Sequence, residues 1–192
     1  MHFDSTLHKK SKDLILSDDG LTLTNTKGVI TPGFAQPALS SGRHAWEVTL
    51  GKQDKDPGWC CIGVGDAGCA GTCIGVLPQT KKLHTIPKPG DWGSSVATPF
   101  PRLNTAALAE GARFRVVVDL DHRTLAFSLN GGELHRMDGV ELPASVRPYV
   151  VFAGHTEGAT LRLSGYDGSA TTASASASPP TRCCCTSGSS SC

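Results

Sequence analysis

Residues 115–134, with the sequence RVVVDLDHRTLAFSLNGGEL, restrict the possible folds most strongly, because apolar and polar side chains alternate along them. A period of two residues is that of a β-strand, whose successive side chains point to opposite faces. Residues 121–124 separate two such runs, and Asn130 and Gly131, which adopt a positive φ readily, follow the second. The stretch therefore predicts a β-hairpin. Its residues that share one face are Phe114, Val116, Val118, Leu120, Leu125, Phe127 and Leu129.

Other segments repeat this pattern. Residues 44–50 (HAWEVTL) place Trp46 with two aliphatic residues on one face, and residues 59–65 (WCCIGVG) are apolar throughout, as in a strand buried on both faces. Many short strands separated by turns predict an all-β antiparallel sandwich. We expect long loops between the strands, at 26–41, 51–58, 66–75 and the proline-rich 78–111.

Length and charge limit the function. A chain of 192 residues suits one domain, and 18 lysines and arginines against 17 aspartates and glutamates give a net charge of +1. So small a charge attracts neither nucleic acid nor an anionic membrane. The first twenty residues are too polar for a signal peptide, and no apolar run approaches the roughly 18 residues that cross a bilayer. We expect a cytoplasmic protein without stable membrane insertion.

The composition divides the chain into three parts. We predict an N-terminal extension at residues 1–13, a β-sandwich domain at 14–166 and a disordered Ser/Ala/Cys-rich tail at 167–192, which lacks residues able to anchor a core. Acylation of Cys183, Cys184 and Cys185 is an alternative role for the tail.

Four segments together resemble the SPRY (B30.2/SPRY) domain family, in the same order along the chain. They are SSGRHAWEV (40–48), GWCCIGVG (58–65), VVVDLDHRTLAFSLNGG (116–132) and LPASVRPYVVFAG (142–154). The resemblance runs from about Leu14 to Leu163. It implies a bent antiparallel sandwich, a concanavalin-like jelly roll, that binds other proteins. We expect no cofactor and no metal. As its structural core we expect Trp46, Trp59, Phe114 and Phe127.

The resemblance also implies where a partner binds. Loops at one end of a SPRY sandwich form a shallow, preformed site for a short segment of a partner protein. The early loop is expected at 26–37. The late loop is expected at 152–155, where the SOCS-box SPRY proteins carry a Val-Trp-Gly-His-like stretch for Asn-containing peptides and Ala153 replaces the Trp here. The candidate binding residues are Thr26, Lys27, Pro32, Phe34, Trp92, Phe152, Ala153, Gly154 and His155.

Structural roles are the alternatives for these residues. The early loop can be a plain connector, Phe152 a core residue and His155 a solvated turn residue. Trp92, in a loop rich in Pro and Gly, can be an exposed anchor or can pack over the edge of the sandwich.

The cysteines raise two further hypotheses. A zinc site would use Cys60, Cys61, Cys69, Cys73 and His84. Adjacent strand residues point to opposite faces, so Cys60 and Cys61 cannot converge on one ion, and buried or loop thiols are favoured instead. A hydrolase would use Cys69 or Cys73 as nucleophile with His44, His84 or His155 as base, but no known catalytic motif surrounds them.

The sequence thus predicts a non-enzymatic protein-interaction module. In many relatives such a domain is joined to a ubiquitin-ligase module, so the resemblance implies use as a substrate-recognition adaptor in ubiquitination. The alternative is the Cys/His-dependent hydrolase. The partner and the oligomeric state are not specified by the sequence.

Overall fold

The described part of the chain forms two antiparallel sheets of seven strands each, packed face to face, in a computed structural model. The residues that the structure describes are 1–8, 12–52, 60–89, 91–99, 108–137, 139–152 and 156–169. The predicted all-β sandwich is confirmed.

Each sheet brings together strands that are distant along the chain. In spatial order, the first sheet contains β1 (His2–Phe3), β4 (Thr31–Gln36), β13 (Val146–Phe152), β6 (Cys60–Asp66), β7 (Cys73–Leu77), β8 (Lys82–Ile86) and β9 (Val96–Pro99). The second contains β12 (His135–Met137), β11 (Thr124–Leu129), β10 (Arg113–Asp119), β5 (Arg43–Leu50), β14 (Thr160–Ser169), β3 (Thr22–Asn25) and β2 (Leu14–Leu16). The helical elements described are one turn, α1 (Ser5–His8), and 3-10 turns at Pro78–Thr80 and Trp92–Ser94. Within the described ranges, no helix is long and apolar enough to span a membrane.

The alternating residues of β5, β10 and β11 fill the core between the sheets. Trp46 pairs with Val116, which pairs in turn with Phe127, so their side chains lie side by side on the inner face. Trp46, Phe114 and Phe127 have no exposed surface. Burying a large apolar side chain contributes about 1.5–3 kcal/mol, so this row is a main source of stability. Trp59 lies outside the described residues.

The first sheet is buried on its outer face as well. Cys60 belongs to the main core, whereas the next residue, Cys61, belongs to a second apolar cluster on the opposite face. This arrangement explains why β6 is apolar at successive positions. We call this second cluster the outer cluster, and its buried members are Phe34, Cys61, Cys73, Ile86, Tyr149 and Val151.

Three regions expected to be loops contain strands. Residues 31–36 form β4, residues 73–75 begin β7, and the proline-rich stretch contains β8 and β9, so the loop predictions were wrong for these residues. Pro32 is accommodated because β1 reaches only Ala35 and Gln36, which leaves the β1-facing side of Pro32 without a strand partner among the described residues. In β8, Leu83 faces the core and His84 faces outward, and both are buried.

The N-terminal residues and the end of β14 extend the sandwich. Within the predicted extension 1–13, Phe3 is buried in the core, and β1 pairs with β4. Asp4 accepts hydrogen bonds from the backbone and hydroxyl of Thr6 and forms an ion pair with Arg147 of β13 at 2.7 Å. These bonds fix the N-terminus to the first sheet. Toward the C-terminus, β14 continues to Ser169. Residues 170–192 lie outside the described ranges.

Candidate partner-binding surface

Two connections meet at one end of the sandwich. Residues 26–30 join β3 to β4, and residues 153–159 join β13 to β14. Thr31 pairs with Phe152, and Thr24 pairs with Thr160, so both connections leave the sheets side by side. A Cβ atom on Gly28 would lie 3.3 Å from the backbone nitrogen of Glu157, which shows how closely they approach. We call residues 26–30 and 156–158 the loop surface.

Asn25, which is fully buried, holds the two connections together. Its Nδ2 donates to the Val29 carbonyl at 3.1 Å and to the Thr156 hydroxyl at 2.9 Å. Its backbone carbonyl accepts from the nitrogen of Gly158 at 2.7 Å. A buried side chain with its donors satisfied on both loops fixes their relative position.

The loop surface presents apolar side chains to solvent. Val29 and Ile30 are adjacent, with 42% and 44% of their surfaces exposed. Their backbone is constrained by the Asn25 bond to Val29 and by the left-handed conformation of Gly28, with φ of +62°. Lys27 forms an exposed ion pair with Asp13 at 2.9 Å beside them. The two apolar side chains therefore lie on a fixed backbone, beside an ion pair.

Two of the residues predicted to bind a partner lie on the loop surface. Thr26 and Lys27 belong to the connection between β3 and β4, within the expected early loop. Pro32 and Phe34 do not, because they belong to β4 and face the outer cluster, where Phe34 packs against Tyr149 with ring centroids 5.2 Å apart. Phe34 is buried, so its expected contact with a partner is not available in this structure. Asn25, Val29 and Ile30 were not singled out.

The late-loop prediction falls partly on undescribed residues. Phe152 has no exposed surface and lies in the main core, so its side chain is not available to a partner and its structural role applies. Ala153, Gly154 and His155 lie outside the described residues. Thr156, the next residue, contacts Asn25 on the loop surface.

Trp92 lies elsewhere on the molecule. It is partly buried against the outer cluster, and its ring meets the ring of His84 edge-on, with centroids 5.1 Å apart. Its segment connects β8 to β9 at the end where Ile86 pairs with Cys73, away from the loop surface. The structure therefore does not bring Trp92 together with Thr26 and Lys27.

The thiols are arranged for packing. Burial raises the pKa of Cys69, and it raises the pKa of Cys73 to about 12, so both thiols are protonated at neutral pH. Their sulfurs lie near the carbonyl oxygens of Ala67 and Gly71. A protonated thiol is a poor nucleophile, and these environments do not activate one.

Two of the three candidate bases, His44 and His84, lie among the described residues, whereas His155 does not. His44 bonds to the Ser41 carbonyl and Tyr166, whereas His84 lies beside Ser95, and burial followed by the charge of Lys82 lowers the pKa of His84. Among the described residues, no group of three or more His, Cys, Asp or Glu side chains is arranged to hold a metal ion.

Comparison with known families assigns the fold. The SPRY domain family model matches residues 43–165, from β5 to β14. The chain belongs to the SPRY domain family. SPRY domains are protein-interaction modules, generally not enzymes. A search of curated proteins finds no match.

Solved SPRY structures share the architecture. The SPRY domain of human HERC1 superposes with a TM-score of 0.59 at 21% identity, covering 84% of this chain and 96% of that one. The PSpry domain of TRIM65 gives a TM-score of 0.53 at 16% identity, covering 85% and 91%. At such low identities these similarities establish the fold of this SPRY domain.

Proposed function

We propose that the loop surface of this SPRY domain binds a short segment of a partner protein. The observation that carries the proposal is the exposure of Val29 and Ile30 side by side on a connection that Asn25 fixes. Contiguous apolar surface rimmed by polar groups marks interaction sites, and these two side chains would form the centre of such a patch. A loop already held by buried hydrogen bonds loses little conformational freedom on binding, which favours affinity.

The partner segment contacts the two connections together in this proposal. Val29 and Ile30 supply apolar contact, while the exposed Glu157 and the Lys27–Asp13 ion pair supply polar groups at the rim. Charged rim groups set orientation and association rate more than affinity. We keep Thr26 and the undescribed residues Ala153, Gly154 and His155 in the proposed site, because they flank or continue its two connections.

We also propose that the domain acts in the cytoplasm as a substrate-recognition adaptor for ubiquitination. This part is supported by the family resemblance and by the free cysteines at positions 60, 61, 69 and 73, which suit a reducing compartment. Co-purification with a ubiquitin-ligase component supports it. Partners isolated reproducibly without any such component contradict the adaptor role and leave peptide binding intact.

We expect Val29→Asp combined with Ile30→Asp to abolish partner capture. Two charges replace two apolar contacts, and about 1.4 kcal/mol lost at each corresponds to a hundredfold weaker complex. The wild-type and variant chains are immobilised, and proteins retained from a cell extract are quantified by mass spectrometry.

The matched control is Val96→Asp, because Val96 is 67% exposed on β9, the edge strand of the first sheet, which β6, β7 and β8 separate from β13. Proteins retained by wild type and by this control, but depleted at least tenfold by the double variant, support the proposal. The same set retained by all three chains contradicts it, provided that their thermal unfolding curves coincide.

A further inference from the structure

The exposed carboxylate of Glu157 has no ion-pair partner on the loop surface. Within the described ranges, no side chain forms an ion pair or a hydrogen bond with it. Lys27, on the other connection, already pairs with Asp13 at 2.9 Å, so much of its charge is compensated. Of these three charged groups, the one left to pair with a partner protein is therefore negative.

Glu157 lies directly beside the connection that carries the exposed apolar residues. A Cβ atom on Gly28, the residue before Val29, would lie 3.5 Å from the Cβ atom of Glu157. One nitrogen, Nδ2 of Asn25, donates both to the Val29 carbonyl and to the hydroxyl of Thr156. Thr156 is the residue before Glu157. The carboxylate and the apolar side chains thus belong to one surface.

Both neighbours of Glu157 are bonded to the same buried residue. The Thr156 hydroxyl accepts from Asn25 at 2.9 Å, and the nitrogen of Gly158 donates to the backbone carbonyl of Asn25 at 2.7 Å. The backbone at position 157 is therefore fixed relative to the apolar side chains. A charge on a fixed backbone loses less conformational freedom when it pairs with a partner.

We propose that the partner segment carries a lysine or arginine next to its apolar residues, and that Glu157 selects this segment by forming an ion pair with it. This inference rests on the proposed function, because it names the chemistry of the segment that the loop surface binds. An exposed ion pair adds little affinity by itself. Complementary charges at the rim of an interface instead exclude partners with a like charge and speed the association of the others.

The test is a selection of peptides from a random library displayed on phage, with the full chain immobilised. Peptides that wild type retains and that the double variant Val29→Asp, Ile30→Asp loses are ligands of the loop surface. Among these ligands we expect lysine or arginine beside an apolar residue at least threefold more often than in the library. Glu157→Gln should remove this preference, and Glu157→Lys should reverse it in favour of aspartate and glutamate.

Glu141→Lys is the matched control for the change of charge. Glu141 is exposed near the opposite end of the sandwich, where Arg123 donates to the Pro143 carbonyl at 3.0 Å. This variant should keep the wild-type preference. In calorimetric titration, a capped peptide from the wild-type set should bind Glu157→Lys roughly tenfold more weakly than it binds Glu141→Lys.

The possible outcomes separate this inference from the proposed function. Loop-surface ligands without a preference for basic residues, or with the same preference on wild type and Glu157→Lys, overturn the inference and leave the proposed function intact. A preference for acidic residues on wild type also overturns it, and assigns the selection to lysines at this end of the sandwich, Lys12, Lys27 and Lys52. If no retained peptide is lost by the double variant, the proposed function and this inference are both wrong. The selection on wild type measures the preference even if a variant fails to fold.

Discussion

Replacing Asp4 by alanine is expected to lower the free energy of unfolding by about 3–5 kcal/mol at neutral pH, because it leaves a largely buried arginine without its partner. Asp4 is 4% exposed, and Arg147 lies 2.7 Å away with only 21% of its side chain exposed. The change also removes the acceptor for both donors of Thr6. Urea unfolding measured by tryptophan fluorescence gives the free energy.

The contribution of Asp4 depends on pH. Burial by itself raises the pKa of this carboxyl, but hydrogen bonds from Thr6, Gln36 and Arg147 outweigh burial and hold the pKa well below its ordinary value of 3.8. A lowered folded-state pKa stabilises the protein fully above the unfolded-state value, and this stabilisation is lost as the pH falls below it. The difference between wild type and Asp4→Ala should therefore shrink as the pH falls below 3.8.

An exposed ion pair provides the comparison. Lys27→Ala breaks the pair with Asp13, whose members are 56% and 35% exposed, and should cost under about 1 kcal/mol. Asp4→Asn keeps an acceptor for Thr6, so its loss of unfolding free energy should lie between those of Asp4→Ala and Lys27→Ala. Equal small losses for Asp4→Ala and Lys27→Ala would show that the N-terminus is not fixed as described.

Asn25→Asp is expected to cost about 3 kcal/mol at pH 8, because it places a carboxylate at a fully buried position. The two donors of Asn25 are lost, and the new charge faces the carbonyl oxygen of Val29. Both connections of the loop surface should loosen, with loss of partner capture. Burial raises the pKa of such a carboxyl. The cost is therefore full above that raised pKa and decreases as the pH falls through it.

Asn25→Ala is the matched control for this charge effect. It also loses the bonds to Val29 and Thr156, at about 1–3 kcal/mol, but introduces no titrating group. The free energy of unfolding is measured at pH 8 and at pH 5. Lowering the pH should bring the value for Asn25→Asp closer to that of wild type, whereas the loss for Asn25→Ala should not change. Identical, pH-independent losses for both variants would contradict the buried position of Asn25.

Local alternation predicted the centre of the sandwich well. Trp46, Phe114 and Phe127 share one face because the period of the strand puts them there, whatever the rest of the chain does. The sequence also predicted that β6 is buried on both faces, because Cys60 and Cys61 are consecutive residues of an apolar run. Strand β8 was missed because it is short and prolines flank it, which favours a loop in the sequence pattern.

Local alternation did not predict the residues that organise the site. Asn25 meets Thr156 across 131 positions of sequence, and Asp4 meets Arg147 across 143. An asparagine beside a turn ordinarily bonds to its own neighbours. Its role in joining two distant connections becomes visible only when the strands that carry them are paired.

Amide hydrogen exchange of the full chain, measured with and without the partner that wild type captures, tests partner binding at the loop surface most directly. We expect slower exchange at Val29, Ile30 and Glu157 in the complex, with the amides of β9 unchanged. If protection appears on β9 or the outer cluster while residues 26–30 and 156–158 exchange as in the free chain, the partner binds elsewhere and the assignment is wrong.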